Sequence, residues 1–154
     1  MPGAALLLLS AMAILLLPWL GEILFNSKGE PREAIVAVSI LESGDWILPT
    51  NYGGDIPFKP PFLAWLMSIF ALVFNGGTVN EYISRLPSAL ALIAMVMGGY
   101  VWARSERGTR FALIFGFVTV TCVEVFRAGI ACRLDMVLTA CISRRPTVLG
   151  RQFN

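Results

Sequence analysis

The sequence has no histidine and little charge. Among 154 residues, Asp, Glu, Lys and Arg together make up 14%, and the formal net charge is +2. A soluble globular domain carries about 25% charged residues. Without histidine, the Ser–His and Cys–His arrangements of nucleophilic enzymes are excluded, as is the commonest metal ligand in proteins. No basic tract indicates a nucleic-acid partner, and none is expected.

Cysteine is also scarce. Cys122, Cys132 and Cys141 lie in or beside apolar segments, and their spacing is not that of a metal site. They are interpreted as small packing residues. No metal ligands and no cofactor are therefore predicted. Carboxylates of the chain could hold a divalent cation, but no cluster of ligands in the sequence indicates one.

Long apolar blocks dominate what remains. Hydrophobic residues make up 56% of the chain, and uncharged blocks run over Ala4–Leu20, Leu86–Ala103 and Phe111–Val123. A helix needs about 20 apolar residues to cross a bilayer, so the third block suffices only if Glu124 faces protein. The sequence predicts an all-α membrane protein with at least three spans. With their flanks, the expected spans are residues 4–24, 86–103 and 109–126.

A cleaved signal peptide is the alternative interpretation of the first block. Its n-region, Met1 to Gly3, carries no Lys or Arg, and no clear small-x-small cleavage site follows Leu17. The first block is therefore expected to remain as a span.

A further apolar run, Phe62–Phe74, has the length of an interfacial helix rather than a span. Charge supports this choice. The segment Arg104–Arg110 holds three arginines against the single acid Glu106, and positively charged loops stay in the cytoplasm. If Phe62–Phe74 lies on the membrane surface, this segment and the N-terminus are both cytoplasmic.

An outer loop is then expected over residues 25–85, with interfacial helices at about 31–42 and 61–74. Pro31 suits the first position of a helix. Glu30 lies just before it, where the helix dipole favours a carboxylate. Because this loop also contains large apolar residues, it is expected to be folded and functional rather than disordered.

Charged residues are expected to meet on the outer side of the membrane. Glu30 and Arg32 follow the first span, Lys59 returns to the same surface, and Asp135 lies at the outer end of the third span. Cations neutralise a lipid phosphate, and arginine does so with bidentate geometry. A neighbouring carboxylate can orient an acceptor or act as a base. The set is a candidate site for a lipid phosphate.

Each of these residues also has an ordinary structural role open to it. Glu30 and Asp135 can cap helices, Lys59 can extend from the interface to water, and Arg32 can form a surface ion pair. The carboxylates available to Arg32 are those of Glu33 and Glu42.

Three more charged residues lie near the ends of expected spans. Glu124 is a functional candidate because ionisable residues in spans are costly, and pairing with Arg127 at i and i+3 is the alternative. Arg127 and Arg133 are expected to extend to the membrane interface.

Four ordered motifs resemble a known family. They are Gly29–Ala34, Leu41–Pro49, Phe58–Pro61 and Ser84–Ala89. Together they resemble the N-terminal part of the lipid A 4-amino-4-deoxy-L-arabinose transferase-like glycosyltransferases, which are relatives of the protein O-mannosyltransferases in the GT-C membrane class. The resemblance covers roughly residues 21–140.

The resemblance implies transfer of a sugar from a polyprenyl-phosphate carrier to a lipid A-type or protein acceptor. The reaction would take place at the outer face of a bacterial inner membrane, among membrane lipids. By motif position, Arg32 and Lys59 would bind the substrate phosphate, and Glu30 and Asp135 would be the catalytic acids. The family's acidic motif begins with Asp-Glu, and Gly29 stands where the first acid is usual.

The end of the chain departs from the family, whose members have many more spans. An apolar run over Met136–Ile142 is followed by Ser-Arg-Arg-Pro, and so short a run does not cross a bilayer. Residues 141–154 are interpreted as a frame-shifted or truncated end of a fourth span. The chain is expected to be an inactive part of a truncated GT-C fold. The alternative is a non-enzymatic multi-span membrane protein that acts as a packing partner or scaffold.

Overall fold

The computed structural model describes residues 2–22, 24–25, 29–51, 54–57 and 59–143, and this part of the chain contains helices and no strands. The predicted all-α class is confirmed. The helices are α1 (Pro2–Leu16), α2 (Gly29–Ser43), α3 (Phe62–Phe74), α4 (Glu81–Thr121), α5 (Val123–Ile130) and α6 (Leu134–Ser143). Of the expected atypical tail, 141–154, the first three residues end α6, and residues 144–154 lie outside the described residues.

Helix α1 is uniformly apolar and packs along α4. A 3₁₀ turn, Leu17–Trp19, continues α1 and contains Pro18 near its start, where the ring removes a backbone donor and ends the regular α-helix. Met12 and Leu16 are buried in one cluster with Leu92 and Val96 of α4. The first expected span, residues 4–24, is therefore an α-helix that tightens before Leu20.

Helix α4 is two helices that meet at Gly108. Gly108 has φ 84° and ψ 176°, a conformation that side chains other than glycine's adopt only with strain. Residues 109–121 return beside residues 81–107, so that Trp102 meets Phe115 edge-on with ring centroids 6.3 Å apart. Tyr100, Ala103 and Ala112 are buried between the two arms.

Among the described helices, α4 is the one with the length and apolar content to cross a bilayer, whereas residues 3–19, α3 and α6 are shorter apolar helices. Its bounds differ from the expected spans 86–103 and 109–126. The helix begins earlier because the Asn80 side chain accepts a hydrogen bond from the Ile83 amide at 2.9 Å and caps it. It ends at Thr121, since Cys122 has extended backbone, and α5 is a separate helix.

Helices α2 and α3 pack on each other within the expected outer loop. Helix α2 begins at Gly29, two residues before the expected start at Pro31, and α3 begins one residue after its expected start at 61. The buried Ser68 hydroxyl donates to the Ala37 carbonyl at 3.1 Å. The loop predicted over 25–85 thus contains both helices and the first turn of α4.

The crossing of α5 over α4 depends on Gly129. A Cβ added at this buried position would lie 3.0 Å from the Leu92 Cβ and would overlap the Leu92 side chain further out. Small residues allow such close approach of helices in membrane proteins. Gly98 lies in the same arm of α4 as Leu92, and a Cβ added there would have no atom within 4 Å.

We expect Gly129→Ala to lower the free energy of unfolding by about 1–3 kcal/mol, because the added methyl must displace Leu92. Gly98→Ala is the matched control and should be neutral or stabilise the protein by up to about 1 kcal/mol. Thermal unfolding of both variants in the same detergent measures the difference. A Gly129→Ala protein as stable as the Gly98→Ala protein would contradict this packing.

Candidate functional site

A buried ion pair joins α2 to α4. Glu30 and Arg85 are 3% and 4% exposed. The Arg85 Nε donates to Glu30 Oε1 at 3.1 Å, and Nη2 donates to Oε2 at 3.4 Å. The guanidinium therefore meets the carboxylate with two parallel donors, which is the strongest geometry available to this pair of side chains.

The same two side chains also bind backbone groups of two other segments. Arg85 donates from Nη1 to the Leu20 carbonyl at 2.8 Å and from Nη2 to the Leu24 carbonyl at 3.2 Å. Glu30 Oε1 accepts from the Cys132 amide at 3.1 Å. The pair thus connects the end of the first helical segment, the start of α2, α4 and the segment between α5 and α6.

These contacts favour a positioning role for Glu30. The sequence interpretations of Glu30, a catalytic acid or a helix cap, did not include a pairing with Arg85. Each carboxylate oxygen accepts a charge-assisted hydrogen bond from the guanidinium, so the carboxylate is engaged within the protein.

A small cavity at the start of α2 brings Arg32 and Lys59 together. Its volume is about 70 Å³. The Lys59 Nζ lies 3.3 Å from Oε1 of Glu33, and the lysine side chain is 55% exposed whereas the glutamate side chain is 11% exposed. The lysine therefore reaches the cavity from the solvent side. The remaining residues that line the cavity are Gly29, Val36, Asn51 and Pro57.

A larger cavity lies on the other side of Glu30, with a volume of about 510 Å³. Glu30 and Arg85 form part of its wall, and Arg127 and Arg133 add two more guanidinium groups. The rest of the lining is mostly apolar, so the cavity combines cations with a hydrocarbon-like surface. Those other lining residues are Leu15, Leu16, Trp19, Leu20, Phe126, Ile130 and Ala131.

Asp135 is exposed in the first turn of α6 and lines neither of these two cavities. The segment before it is fixed to α4 by Ser88, whose hydroxyl donates to the Arg133 carbonyl at 3.1 Å and accepts from the Arg133 amide at 3.2 Å. The structure thus brings Arg32 and Lys59 together, assigns Glu30 to the ion pair with Arg85, and leaves Asp135 outside both cavities.

The sequence did not predict the roles of two residues at this site. Arg85 was noted only within a motif, although an arginine at the start of an apolar helix is itself a signal for a paired, buried charge. Glu33 was considered as a partner of Arg32 but pairs with Lys59. The local pairing of Glu124 with Arg127 is confirmed at 2.9 Å.

No group of three or more His, Cys, Asp or Glu side chains within the described residues could hold a metal ion. Cys132 is a buried thiol beside the ion pair, with its Sγ 3.6 Å from Met67 Sδ. Burial, with smaller contributions from the Glu33 and Glu30 carboxylates, raises the pKa of Cys132 to about 12. This thiol is therefore a protonated packing group and not a nucleophile.

Comparison with known proteins gives one sequence relative and two solved structures. The chain is 33% identical over 97 residues to the undecaprenyl phosphate-alpha-4-amino-4-deoxy-L-arabinose arabinosyl transferase of Pseudomonas savastanoi pv. phaseolicola, a match of 58% of this chain and 18% of the relative. ArnT from Cupriavidus metallidurans has the same fold, with a TM-score of 0.82 bound to undecaprenyl phosphate and 0.81 in the apo state. No family model matches the chain.

The resemblance read from the four motifs is confirmed, since the chain is similar to an arabinosyl transferase in sequence and to ArnT in fold. Both structural matches are 23% identical and cover 92% of this chain but 26% of the ArnT chain. The chain therefore spans about a fifth to a quarter of the length of the proteins it matches. Its fold is that of one part of a multi-span membrane glycosyltransferase.

We expect removal of either partner of the buried ion pair to be strongly destabilising. Glu30→Gln or Arg85→Met leaves the other charge buried without its counter-ion, which costs about 3–5 kcal/mol. The double variant should lose less unfolding free energy than the two single variants lose together, because it leaves neither charge buried without a partner. Thermal or denaturant unfolding in detergent measures the stability of the two single variants and of the double variant.

The exposed pair of Glu124 and Arg127 supplies the control for this double-mutant cycle. Its side chains are 73% and 64% exposed, and such pairs contribute about 0–1 kcal/mol. If Glu124→Gln lowered the free energy of unfolding as much as Glu30→Gln does, the larger contribution of the buried pair to stability would be refuted.

Cys132 is expected to resist maleimide in the folded protein up to pH 9 and to react only after denaturation. Cys122 and Cys141 are exposed, so a Cys122→Ser, Cys141→Ser background isolates the buried thiol. Because folding raises the pKa of Cys132 from 9.0 to about 12, its contribution to stability is present below pH 9 and is lost as pH rises towards 12. Rapid labelling of the native protein at pH 8 would contradict this account.

Proposed function

We propose that this chain supplies the phosphate-binding region of a membrane glycosyltransferase that takes a sugar from a polyprenyl-phosphate carrier. The observation that carries the proposal is the meeting of Arg32 and Lys59 at one small cavity, beside a larger apolar cavity that contains Arg127 and Arg133. A lipid phosphate needs this combination of cations and apolar surface. By itself the chain is proposed to bind without completing the transfer, since it spans only part of its relatives.

The cations would act on the leaving group. In the transfer, the bond between the anomeric carbon of the sugar and the carrier phosphate oxygen breaks, and its electron pair leaves with the phosphate. Arg32 and Lys59 would stabilise the charge that develops there, Arg32 by bidentate hydrogen bonds and Lys59 as a point charge. The Glu33 carboxylate, 3.3 Å from Lys59, would neutralise the lysine until a phosphate competes for it.

The two carboxylates named in the sequence would have different roles. Asp135 is exposed and would orient the acceptor or, if the acceptor is a hydroxyl, accept its proton as the new bond forms. An acceptor that is already an ionised phosphate needs no such base. Glu30 would act as a positioning residue, because its ion pair with Arg85 and its hydrogen bond from the Cys132 amide fix α2 and the segment before Asp135 relative to each other.

The larger cavity would receive lipid. Its volume of about 510 Å³ and its largely apolar lining suit a segment of hydrocarbon chain, and Arg127 and Arg133 would meet an anionic headgroup at its edge. The solved ArnT with the same fold was crystallised with undecaprenyl phosphate. Lipid A-type acceptors and protein acceptors are both compatible with this chemistry, and the arabinosyl transferase relative favours the former.

The proposed location is a bacterial inner membrane, with the N-terminus in the cytoplasm and the site on the outer side. The end of the first helical segment contacts Arg85 near the start of α4, so these ends share one side of the membrane. The turn at Gly108 lies at the other end of the same arm of α4, where positive charge favours the cytoplasm. Helices α2 and α3 would then lie at the outer interface.

Binding of undecaprenyl phosphate to the purified full chain tests the proposal. The chain is placed in nanodiscs with an excess of phosphatidylglycerol, so that general attraction to anionic lipid is saturated. We expect Arg32→Ala and Lys59→Ala each to weaken binding about tenfold or more, because each removes a charge-assisted contact to phosphate. Ser105→Ala, at the opposite end of the molecule, removes an exposed hydroxyl without changing charge; it is the control and should bind as wild type.

Equal binding by all four proteins would refute the phosphate site. Sugar transfer by wild-type chain from a polyprenyl-phosphate-linked donor would instead refute the proposal that the chain only binds. If wild type did not bind the carrier at all, the alternative of a non-enzymatic packing partner would be preferred.

A further inference from the structure

The turn between the two arms of α4 carries a cluster of arginines with no assigned role. Arg104, Arg107 and Arg110 flank Gly108, and these three residues are named the arginine turn. The turn lies near the start of α1, because Ala5 packs against Tyr100 and its neighbours. It is therefore at the opposite end of the helices from the Glu30–Arg85 pair.

Within the described residues, no carboxylate pairs with the cations of the arginine turn. All three side chains are exposed, and none has a carboxylate within 4.0 Å among the residues that the structure describes. Glu106 lies between them in sequence, and it too makes no ion pair in that part of the chain. Three of the cations at the other end, Arg85, Lys59 and Arg127, each have a carboxylate partner.

Aromatic side chains surround the arginine turn. The Arg107 guanidinium lies 5.1 Å from the centroid of the Phe111 ring, a cation–π distance. Trp102 and Phe111 are 38% and 37% exposed. Aromatic rings beside basic residues are typical of the level of lipid headgroups in membrane proteins.

Apolar side chains continue along both arms from this level. Val101, Ile114, Phe117 and Val118 are each at least 60% exposed, which places an uncharged surface next to the cations. A soluble anion or nucleic acid would require a polar surface around the cations. A lipid offers both a phosphate for the cations and hydrocarbon for the apolar side chains.

We propose that the arginine turn binds anionic phospholipid headgroups of the cytoplasmic leaflet. This inference does not depend on the proposed sugar transfer. The guanidinium groups bind the phosphodiester, and the net negative charge of phosphatidylglycerol gives it preference over a zwitterionic lipid. The contact fixes the depth of the α4 hairpin in the bilayer.

Lipid retention by the purified full chain tests the proposal. The protein is titrated in detergent with phosphatidylglycerol or phosphatidylcholine, and bound lipid is counted by native mass spectrometry. We expect preferential retention of phosphatidylglycerol and a loss of at least tenfold in apparent affinity for Arg104→Gln/Arg107→Gln/Arg110→Gln, because each arginine near the headgroups contributes about fivefold. The corresponding triple lysine variant keeps the charge and should retain most of the affinity.

Two further variants locate the bound lipid. Glu42→Gln changes an exposed charge on α2, away from the arginine turn, and should leave phosphatidylglycerol retention unchanged. Ser105→Cys in a Cys122→Ser, Cys141→Ser background should react with a membrane-impermeant maleimide only after spheroplasts are lysed.

Several outcomes would overturn the proposal. The first is equal retention of phosphatidylglycerol and phosphatidylcholine, and the second is wild-type retention by the glutamine variant. The third is a loss of affinity in the lysine variant, or a change in Glu42→Gln, as large as the loss in the glutamine variant. The last is labelling of Ser105→Cys in intact spheroplasts. If the glutamine variant does not fold, retention by the lysine variant and the comparison of phosphatidylglycerol with phosphatidylcholine still test the proposal.

Discussion

The ion pair between Glu30 and Arg85 is the contact on which the arrangement of the outer helices depends. Burying two charges is costly, and their attraction offsets that cost only when the geometry is good and the remaining donors find partners. Here the guanidinium meets the carboxylate with two donors and also reaches the Leu20 and Leu24 carbonyls. These carbonyls follow the last regular turn of α1, where helix geometry no longer supplies donors.

The same pair separates two environments around the start of α2. On one side, Arg32, Glu33 and Lys59 surround a small and partly open cavity. On the other, Arg85 contributes to a cavity that is large and mostly apolar. Because Glu30 and Glu33 are three residues apart on one helix, a rotation of α2 would disturb both cavities together. Fixing Glu30 therefore also fixes the position from which Glu33 meets Lys59.

Local sequence features predicted the helices well and the site only in part. The bounds of α2 and α3 differ from the expected ones by one or two residues, and the i, i+3 pair of Glu124 with Arg127 was foreseen, because such contacts depend on nearby residues alone. Glu30 and Arg85 are 55 residues apart, and nothing in periodicity selects that pair. The break at Cys122 was also missed, since the apolar run continues through it without a helix-breaking residue.

The two ends of the helices differ in whether their cations have carboxylate partners, and this difference follows from what each end contacts. At the end that contains the Glu30–Arg85 pair, Arg85 and Lys59 have carboxylate partners within the protein, so helices that carry charge can still pack closely. At the arginine turn, the three cations lack such partners among the described residues and remain exposed beside Trp102 and Phe111. For a hairpin with apolar sides, the nearest source of negative charge is the headgroup layer of the membrane itself.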